Sequence, residues 1–335
     1  MESFQALLID GDKTGDQSEI AYLHPDQLVA ESPWLLIENH YSSIGYKDAL
    51  AASGRGKILR KSPLIGGQDG AGVVVESEDP SFPMGTEVVL TGYGLGEAHH
   101  GGLSQLMKVP SEWATKIPEG LSLYESMALG TAGFTAAQAI VAMEINHQRP
   151  DQGPILVTGA TGGVGSLAIQ MLSQKKYEVW AVTGRPAYHD FLKNLGATKI
   201  CSFDDLALHP KALGKGLFGG VIDNLGGNFL ESVLPYVKPF GNIAVIGLAQ
   251  GVKLQTTVMP FIIRGVNLLG INSTYCPKEI RNQIWNRLGA DLKPKKLKET
   301  VTKTVPLEEV KDHVDQLLDR KYHGRIVVSC YSNKD

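Results

Sequence analysis

The segment Thr158-Gly159-Ala160-Thr161-Gly162-Gly163-Val164-Gly165 constrains what this chain can fold into more than any other stretch of it. It follows an apolar run, Ile155-Leu156-Val157-Thr158, that reads as a buried strand. It leads into Val164, Leu167, Ala168, Met171 and Leu172, which recur at helical spacing. A glycine loop between strand and helix is the context in which a dinucleotide fingerprint carries meaning. Gly159 permits the tight turn, Gly162 removes a side chain where backbone must approach a pyrophosphate, and Gly165 lets helix and strand pack closely. Amides and dipole at the helix N-terminus then favour negative charge there. The spacing GxxGxxG is a variant of the common fingerprint, so the flanking elements carry as much weight as the glycines.

The alternation continues downstream. Glu178-Val179-Trp180-Ala181-Val182-Thr183 is the next strand, and Phe191, Leu192 and Leu195 suit a helix that ends at Gly196. Gly220-Val221-Ile222-Asp223 and Asn242-Ile243-Ala244-Val245-Ile246-Gly247 are two further strands. Such alternation implies a parallel sheet wrapped by helices. The first 120 or so residues read differently: Ala6-Leu7-Leu8-Ile9, Trp34-Leu35-Leu36-Ile37, Gly72-Val73-Val74-Val75 and Glu87-Val88-Val89-Leu90 are separated by Gly, Pro, Asp and Ser clusters, the pattern of a β-rich barrel or sandwich. Ser122-Leu123-Tyr124-Glu125 fits a capping box that opens a helix. Leu307, Val310, Val314, Leu317 and Leu318 form an apolar helical stripe that Gly324 ends. Arg325-Ile326-Val327-Val328 returns as a strand outside the alternating pattern, expected to pair with the N-terminal domain. For 335 residues, two domains are the default expectation.

The end of the second strand of the alternating region decides which nicotinamide cofactor is bound. An NAD site carries an acid there for the ribose 2′-hydroxyl. This chain has Thr183-Gly184-Arg185 instead. A carboxylate would repel a 2′-phosphate, whereas an arginine donates paired charged hydrogen bonds to it, so the expected cofactor is NADPH. A net charge of −3 suggests no partner by itself, a nucleic-acid-binding chain would show a basic excess or stripe, and the basic run 293–298, which contains Pro294, reads as a solvated connection. Cys201, Cys276 and Cys330 are far apart and form no CxxC pair. No apolar run approaches the roughly 18 residues of a membrane span, and the N-terminus lacks a signal-peptide layout. The expectation is a cytoplasmic protein with free thiols and no membrane partner. His99-His100 reads as a polar loop, since adjacent residues rarely aim both rings at one metal.

Taken together, these residues resemble the medium-chain dehydrogenase/reductase superfamily and, within it, the acryloyl-CoA reductase / quinone oxidoreductase (YhdH/YhfP-like) family. The resemblance spans nearly the whole chain through residues 42–50, 81–85, 90–97, 130–135, the glycine loop and 257–264. It implies a GroES-like β-rich domain at 1–125, completed by 290–335, and a Rossmann doubly wound parallel-sheet domain at 126–289 that binds NADPH. It places Tyr46 near the nicotinamide, Thr161, Gly162, Gly163 and Val164 on the pyrophosphate, and Thr183, Gly184 and Arg185 on the 2′-phosphate. Leu248, Ile262 and Ser273 would line the nicotinamide side, and Arg325 would close the cleft from the other domain. A homodimer and a small-molecule substrate are also implied.

Two departures weaken the match: Gly45 stands where relatives carry Asn, and Phe203 where relatives can carry an arginine. Zinc-dependent members place a cysteine near Ser43-Ile44-Gly45 and a histidine in the Gly67-Gln68-Asp69 segment, so no metal site is expected. The chemistry implied is zinc-independent hydride transfer from NADPH to an activated carbon–carbon double bond, an acryloyl-CoA-like thioester first and a quinone second. Tyr46 either supplies a proton or packs on the cofactor, and Asp48 would orient its loop. A thioester substrate would also need basic residues such as Lys57, Arg60 or Lys61, which the sequence does not place. The reading from another class is a non-catalytic NADPH-binding structural or sensor protein.

Overall fold

The computed structural model describes residues 2–13 and 17–331. In chain order the strands are β1 (Phe4–Ile9), β2 (Ser18–Leu23), β3 (Trp34–Ile44), β4 (Leu64–Ile65), β5 (Asp69–Ser77), β6 (Glu87–Thr91), β7 (Leu106–Pro110), β8 (Thr115–Lys116), β9 (Ile155–Val157), β10 (Val179–Val182), β11 (Lys199–Cys201), β12 (Phe218–Asp223), β13 (Val237–Val245), β14 (Asn267–Gly270), β15 (Val301–Pro306) and β16 (Arg325–Ser329). The helices are α1 (Tyr46–Ser53), α2 (Leu123–Ile145), α3 (Gly163–Gln174), α4 (His189–Leu195), α5 (Gly227–Val233), α6 (Met259–Arg264), α7 (Lys278–Leu288), α8 (Leu297–Thr300) and α9 (Val310–Leu318).

The chain divides into two compact units. One comprises the described residues of Met1–Thr131, Thr274–Ala290 and Leu297–Asp335, and the other comprises Ala132–Ser273 and Asp291–Lys296. These bounds differ from the expected 125/126 and 289/290 divisions, for visible reasons. In segment 274–290, the buried Arg281 donates to the carbonyl and hydroxyl of Thr91, both at 2.8 Å, and Lys278 donates to the carbonyls of Glu112 and Ala114. These bonds hold α7 within the first unit. Part of the basic run 293–298 is docked rather than solvated. Gln174 donates to the Lys293 carbonyl at 2.9 Å, and Lys296 Nζ donates to Asn194, so the segment binds α3 and α4 of the second unit.

In the second unit all six strands pair in parallel, in the order β11-β10-β9-β12-β13-β14. Leu156, Val221 and Ile243 from adjacent strands join Phe229, Leu230 and Val233 of α5 in one buried cluster. In the first unit β3 is the hub, pairing with β5, β7 and β16. The returning C-terminal strand thus lies antiparallel to β3, with Val328 opposite Ser42 and Ile326 opposite Ile44. A second sheet, β2-β1-β4, completes the β-rich body.

The capping box forms as read: Glu125 N–H donates to Ser122 Oγ and Ser122 N–H to the Glu125 carboxylate, each at 3.1 Å. The helix it opens, α2, corrects one expectation. It is long and apolar enough to cross a membrane, but most of it is buried inside the protein. It is also broken at Gly130, where φ is 51°. A second correction concerns α9, which ends at Leu318; Gly324, at φ 61°, shapes the turn into β16 instead.

Candidate cofactor and substrate site

In the second unit the glycine loop starts from a braced point. Thr158 Oγ1 donates to Asp223 at 2.8 Å and accepts the Asn224 N–H at 2.8 Å, while Asn224 Nδ2 donates to the Thr158 carbonyl at 2.7 Å. The second Asp223 oxygen accepts the Gly226 amide at 2.8 Å. Burial raises the Asp223 carboxyl above its ordinary range, against the pull of these hydrogen bonds. The brace joins β9 to β12, where the strand order reverses, and that switch point is where open α/β sheets bind ligands.

The loop itself meets the expected backbone demands. Gly159 has φ +57°, and a Cβ on Gly165 would stand 2.5 Å from the Gly159 carbonyl oxygen and 2.8 Å from Ala160 Cα. Gly162 caps α3, whose first turn holds no acid. Thr161 is buried, Gly162 exposed, and Gly163 and Val164 are half-buried. These are the groups that would hold a pyrophosphate.

At the end of β10, the Arg185 backbone N–H donates to Thr183 Oγ1 at 3.1 Å. The Arg185 guanidinium sits 4.0 Å over the Tyr188 ring and reaches Thr161 Oγ1 at 3.4 Å. A Cβ on Gly184 would meet nothing within 4 Å. A cation, a hydroxyl and open space therefore adjoin the glycine loop, and this fits a 2′-phosphate. Phe203 is spent on packing, 4.8 Å from Phe229, so that position offers no charge. Leu248 follows β13 and Ser273 follows β14, both beyond the carboxyl ends of parallel strands, where such sheets hold ligands. Leu248 is 65% exposed and Ile262, on α6, is 70% exposed, available for a ligand to cover.

In the first unit Tyr46 is the first residue of α1 and is 52% exposed. Ala49, Ala51 and Ala52 pack against Leu307, Val310 and Val314, burying one face of α1 and leaving Tyr46 outward. Behind it lies a buried polar cluster. Asp69 accepts the Ser43 hydroxyl at 2.5 Å and both the N–H and hydroxyl of Thr131. Arg325 Nη2 lies 3.5 Å from Asp69 and 2.7 Å from Ser43 Oγ, and its Nε donates to the Ala128 carbonyl at 3.2 Å.

Arg325 is the clearest departure from the expected site. Expected to close a cleft on the cofactor, it is 5% exposed and engaged inside the first unit. A buried guanidinium is retained where it has such partners, and pulling it out would strand Asp69. The same cluster bears on zinc. Ser43 and Asp69 are bonded to each other and to Arg325, and Gln68 offers an amide in place of an imidazole, so this donor set does not fit a zinc ion. His99 and His100 also have separate tasks: His99 meets Trp113 edge-on at 4.6 Å, and His100 Nδ1 accepts the Ile65 N–H at 3.1 Å. Of the basic residues considered for a thioester, Arg60 pairs with Glu97 at 2.9 Å, while Lys57 and Lys61 are exposed.

Sequence reasoning missed Asp223, Asp69 and Arg281. Asp223 had a signal, an acid closing an otherwise apolar strand run; Asp69 and Arg281 acquire partners only through long-range contacts. A surface cavity of about 280 Å³ beside Tyr93, Tyr275 and Lys278 contains none of the expected site residues.

A doubly wound parallel sheet with a braced glycine loop at its switch point, together with a separate β-rich body in the same chain, defines a nicotinamide-dependent oxidoreductase of two-unit type. Residues 31–119 match the alcohol dehydrogenase GroES-like domain family, and residues 163–288 match the family described as zinc-binding dehydrogenase. YhfP of Bacillus subtilis, which carries the name quinone oxidoreductase provisionally, is 43% identical over 97% of this chain and 98% of its own. The acrylyl-CoA reductase AcuI of Ruegeria pomeroyi is 40% identical over 97% of this chain and 98% of its own. The crystal structure of Escherichia coli YhdH with bound NADPH superposes with a TM-score of 0.91 at 40% identity, covering 98% of this chain and 100% of that one. B. subtilis YhfP with NAD bound gives 0.94 at 42% identity, covering 98% and 100%. The chain belongs to the medium-chain dehydrogenase/reductase superfamily and, within it, to the YhdH/YhfP-like family.

Proposed function

We propose that this chain is a zinc-independent, NADPH-dependent reductase of a carbon–carbon double bond conjugated to a carbonyl, with an acryloyl-CoA-like thioester as its substrate. The observation that carries the cofactor choice is Arg185, set between the Tyr188 ring and Thr161 beside open space at Gly184. When bound, NADPH supplies the hydride that adds to the β-carbon of the alkene. The residues of the chain bind and orient. Thr161 through Val164 hold the pyrophosphate, Thr183, Gly184 and Arg185 hold the 2′-phosphate, and Leu248, Ile262 and Ser273 line the nicotinamide side. Tyr46, outward on α1, offers an exposed hydroxyl that would bond the cofactor or pass a proton to the α-carbon.

Quinone reduction is the second reading, favoured by the name that YhfP carries. A cytoplasmic location accords with three free, buried cysteines, which a reducing compartment preserves. A homodimer accords with β14 as the outer strand of its sheet and with the exposed apolar residues Val258 and Ile263 nearby in sequence. The test is NADPH oxidation measured across acryloyl-CoA, simple enones and quinones after prolonged chelation. Turnover of the thioester at undiminished rate is expected. Preference for quinones would install the second reading, and NADPH binding without turnover of any substrate would point to a sensor or structural role.

A further inference from the structure

Asp48 lies at the third position of α1, and its two oxygens are divided between two segments. Oδ2 accepts the N–H of Gly45 at 2.8 Å, and Oδ1 accepts the N–H of Gln68 at 3.0 Å. The first bond is the reach-back half of a capping box. In this chain that half works alone, because the residue before the helix is Gly45, which has no side chain to cap the opening turn. The second bond ties the start of α1 to the segment entering β5. Tyr46 follows Gly45, one residue past the braced amide, and is the first residue of the helix. Asp48 is buried, so water does not substitute readily for either bond.

We infer that Asp48 is a positioning residue for the reduction, a single carboxylate whose bonds to Gly45 and Gln68 hold Tyr46 in its outward position at the start of α1. The inference rests on the reading that Tyr46 serves the reaction. It carries a pH signature. Burial, and next the negative charge of Asp69, push the Asp48 carboxyl up to about 6, while Lys47 and the two backbone bonds act the other way. Arg325 also faces the pair of carboxylates. Above that pH both oxygens accept. Below it one oxygen carries a proton and becomes a poor acceptor, so one of the two ties weakens. Activity should therefore fall as pH drops through about 6. Stability responds with the opposite sign: a carboxyl raised above its unfolded value favours the fold when protonated, so acid unfolding does not account for this loss.

The experiment is NADPH oxidation with acryloyl-CoA, as kcat and NADPH KM against pH, for the wild type, Tyr46→Phe, Asp48→Asn, the double variant, and Gly45→Asn alone and with Asp48→Asn. A Cβ at Gly45 would meet only Asp48 Oδ2, at an ordinary 3.5 Å, so an asparagine fits there and can cap the helix. Asp48→Asn should lower kcat/KM roughly tenfold, the worth of a lost hydrogen bond to a charged group, and should abolish the acid limb. It should add little to Tyr46→Phe, and Gly45→Asn should restore part of the loss. If Asp48→Asn does not fold, Gly45→Asn alone still reads the idea, because a second cap should shrink the acid limb. Additive losses from the two substitutions, or an acid limb unchanged by both Asp48→Asn and Gly45→Asn, would overturn the inference and leave the Tyr46 reading standing. Full activity in Tyr46→Phe would instead remove that reading, and the inference with it.

Discussion

Arg185 shows how far a single residue can be read. The absence of an acid at the end of its strand points to a 2′-phosphate, and the structure adds its neighbours, Thr161 and Tyr188. Hydrogen bonds to a charged group contribute roughly 1.5–3 kcal/mol, so Arg185→Ala should raise the NADPH KM about ten- to a hundredfold. The NADH KM should barely change, because NADH has no 2′-phosphate for the guanidinium to meet. Steady-state kinetics with both cofactors decides this; equal losses would remove Arg185 from the 2′-phosphate. Arg325 is the opposite case. An arginine opening the returning strand suggests a clamp, but its partners Ser43, Asp69 and the α2 carbonyls come from segments far away in sequence. No local pattern announces such a cluster.

At the level of elements, what was legible had strong local causes. The capping box at Ser122, the helix stop at Gly196 in the left-handed region, and the apolar strands of the parallel sheet all appear where read. Strands β2, β4, β7, β8, β11, β14 and β15 carry no such local signal. They are short or polar, and each is a strand because a neighbour supplies its hydrogen bonds, as β16 does for β15. Within the glycine loop, close packing yields a direct test. A Cβ at Gly165 meets backbone at 2.5 and 2.8 Å, whereas one at Gly184 meets nothing within 4 Å. Gly165→Ala should therefore cost about 1–3 kcal/mol of stability, as overpacking does, and weaken NADPH binding. Gly184→Ala should leave the melting temperature unchanged. Thermal melts with fluorescence titration of NADPH separate the two, and an unaffected Gly165→Ala would show that the loop has room to relax.

For the whole molecule, the second unit ends its parallel sheet on β14, and an outer strand with exposed apolar residues nearby invites a partner. If a second copy is that partner, Ile263→Glu places a charge where Ile263 is 59% exposed and should shift the solution mass from dimer to monomer without unfolding the chain. Light scattering coupled to size exclusion reads this directly. A wild-type monomer would end the proposal.

The sequence by itself determined the fold class, the glycine loop, the likeness to a reductase family and the NADPH-type strand end. These rest on period, glycine placement and charge within a few residues of one another. Only the tertiary structure decided where segment 274–290 belongs, that Arg325 is an internal tie, that Asp223 braces the loop and that Asp48 serves two segments at once. Each of these depends on a hydrogen bond or ion pair between groups separated by tens to hundreds of residues. A buried polar group must find such partners to offset its lost hydration, and the folded chain alone determines which partners come within reach.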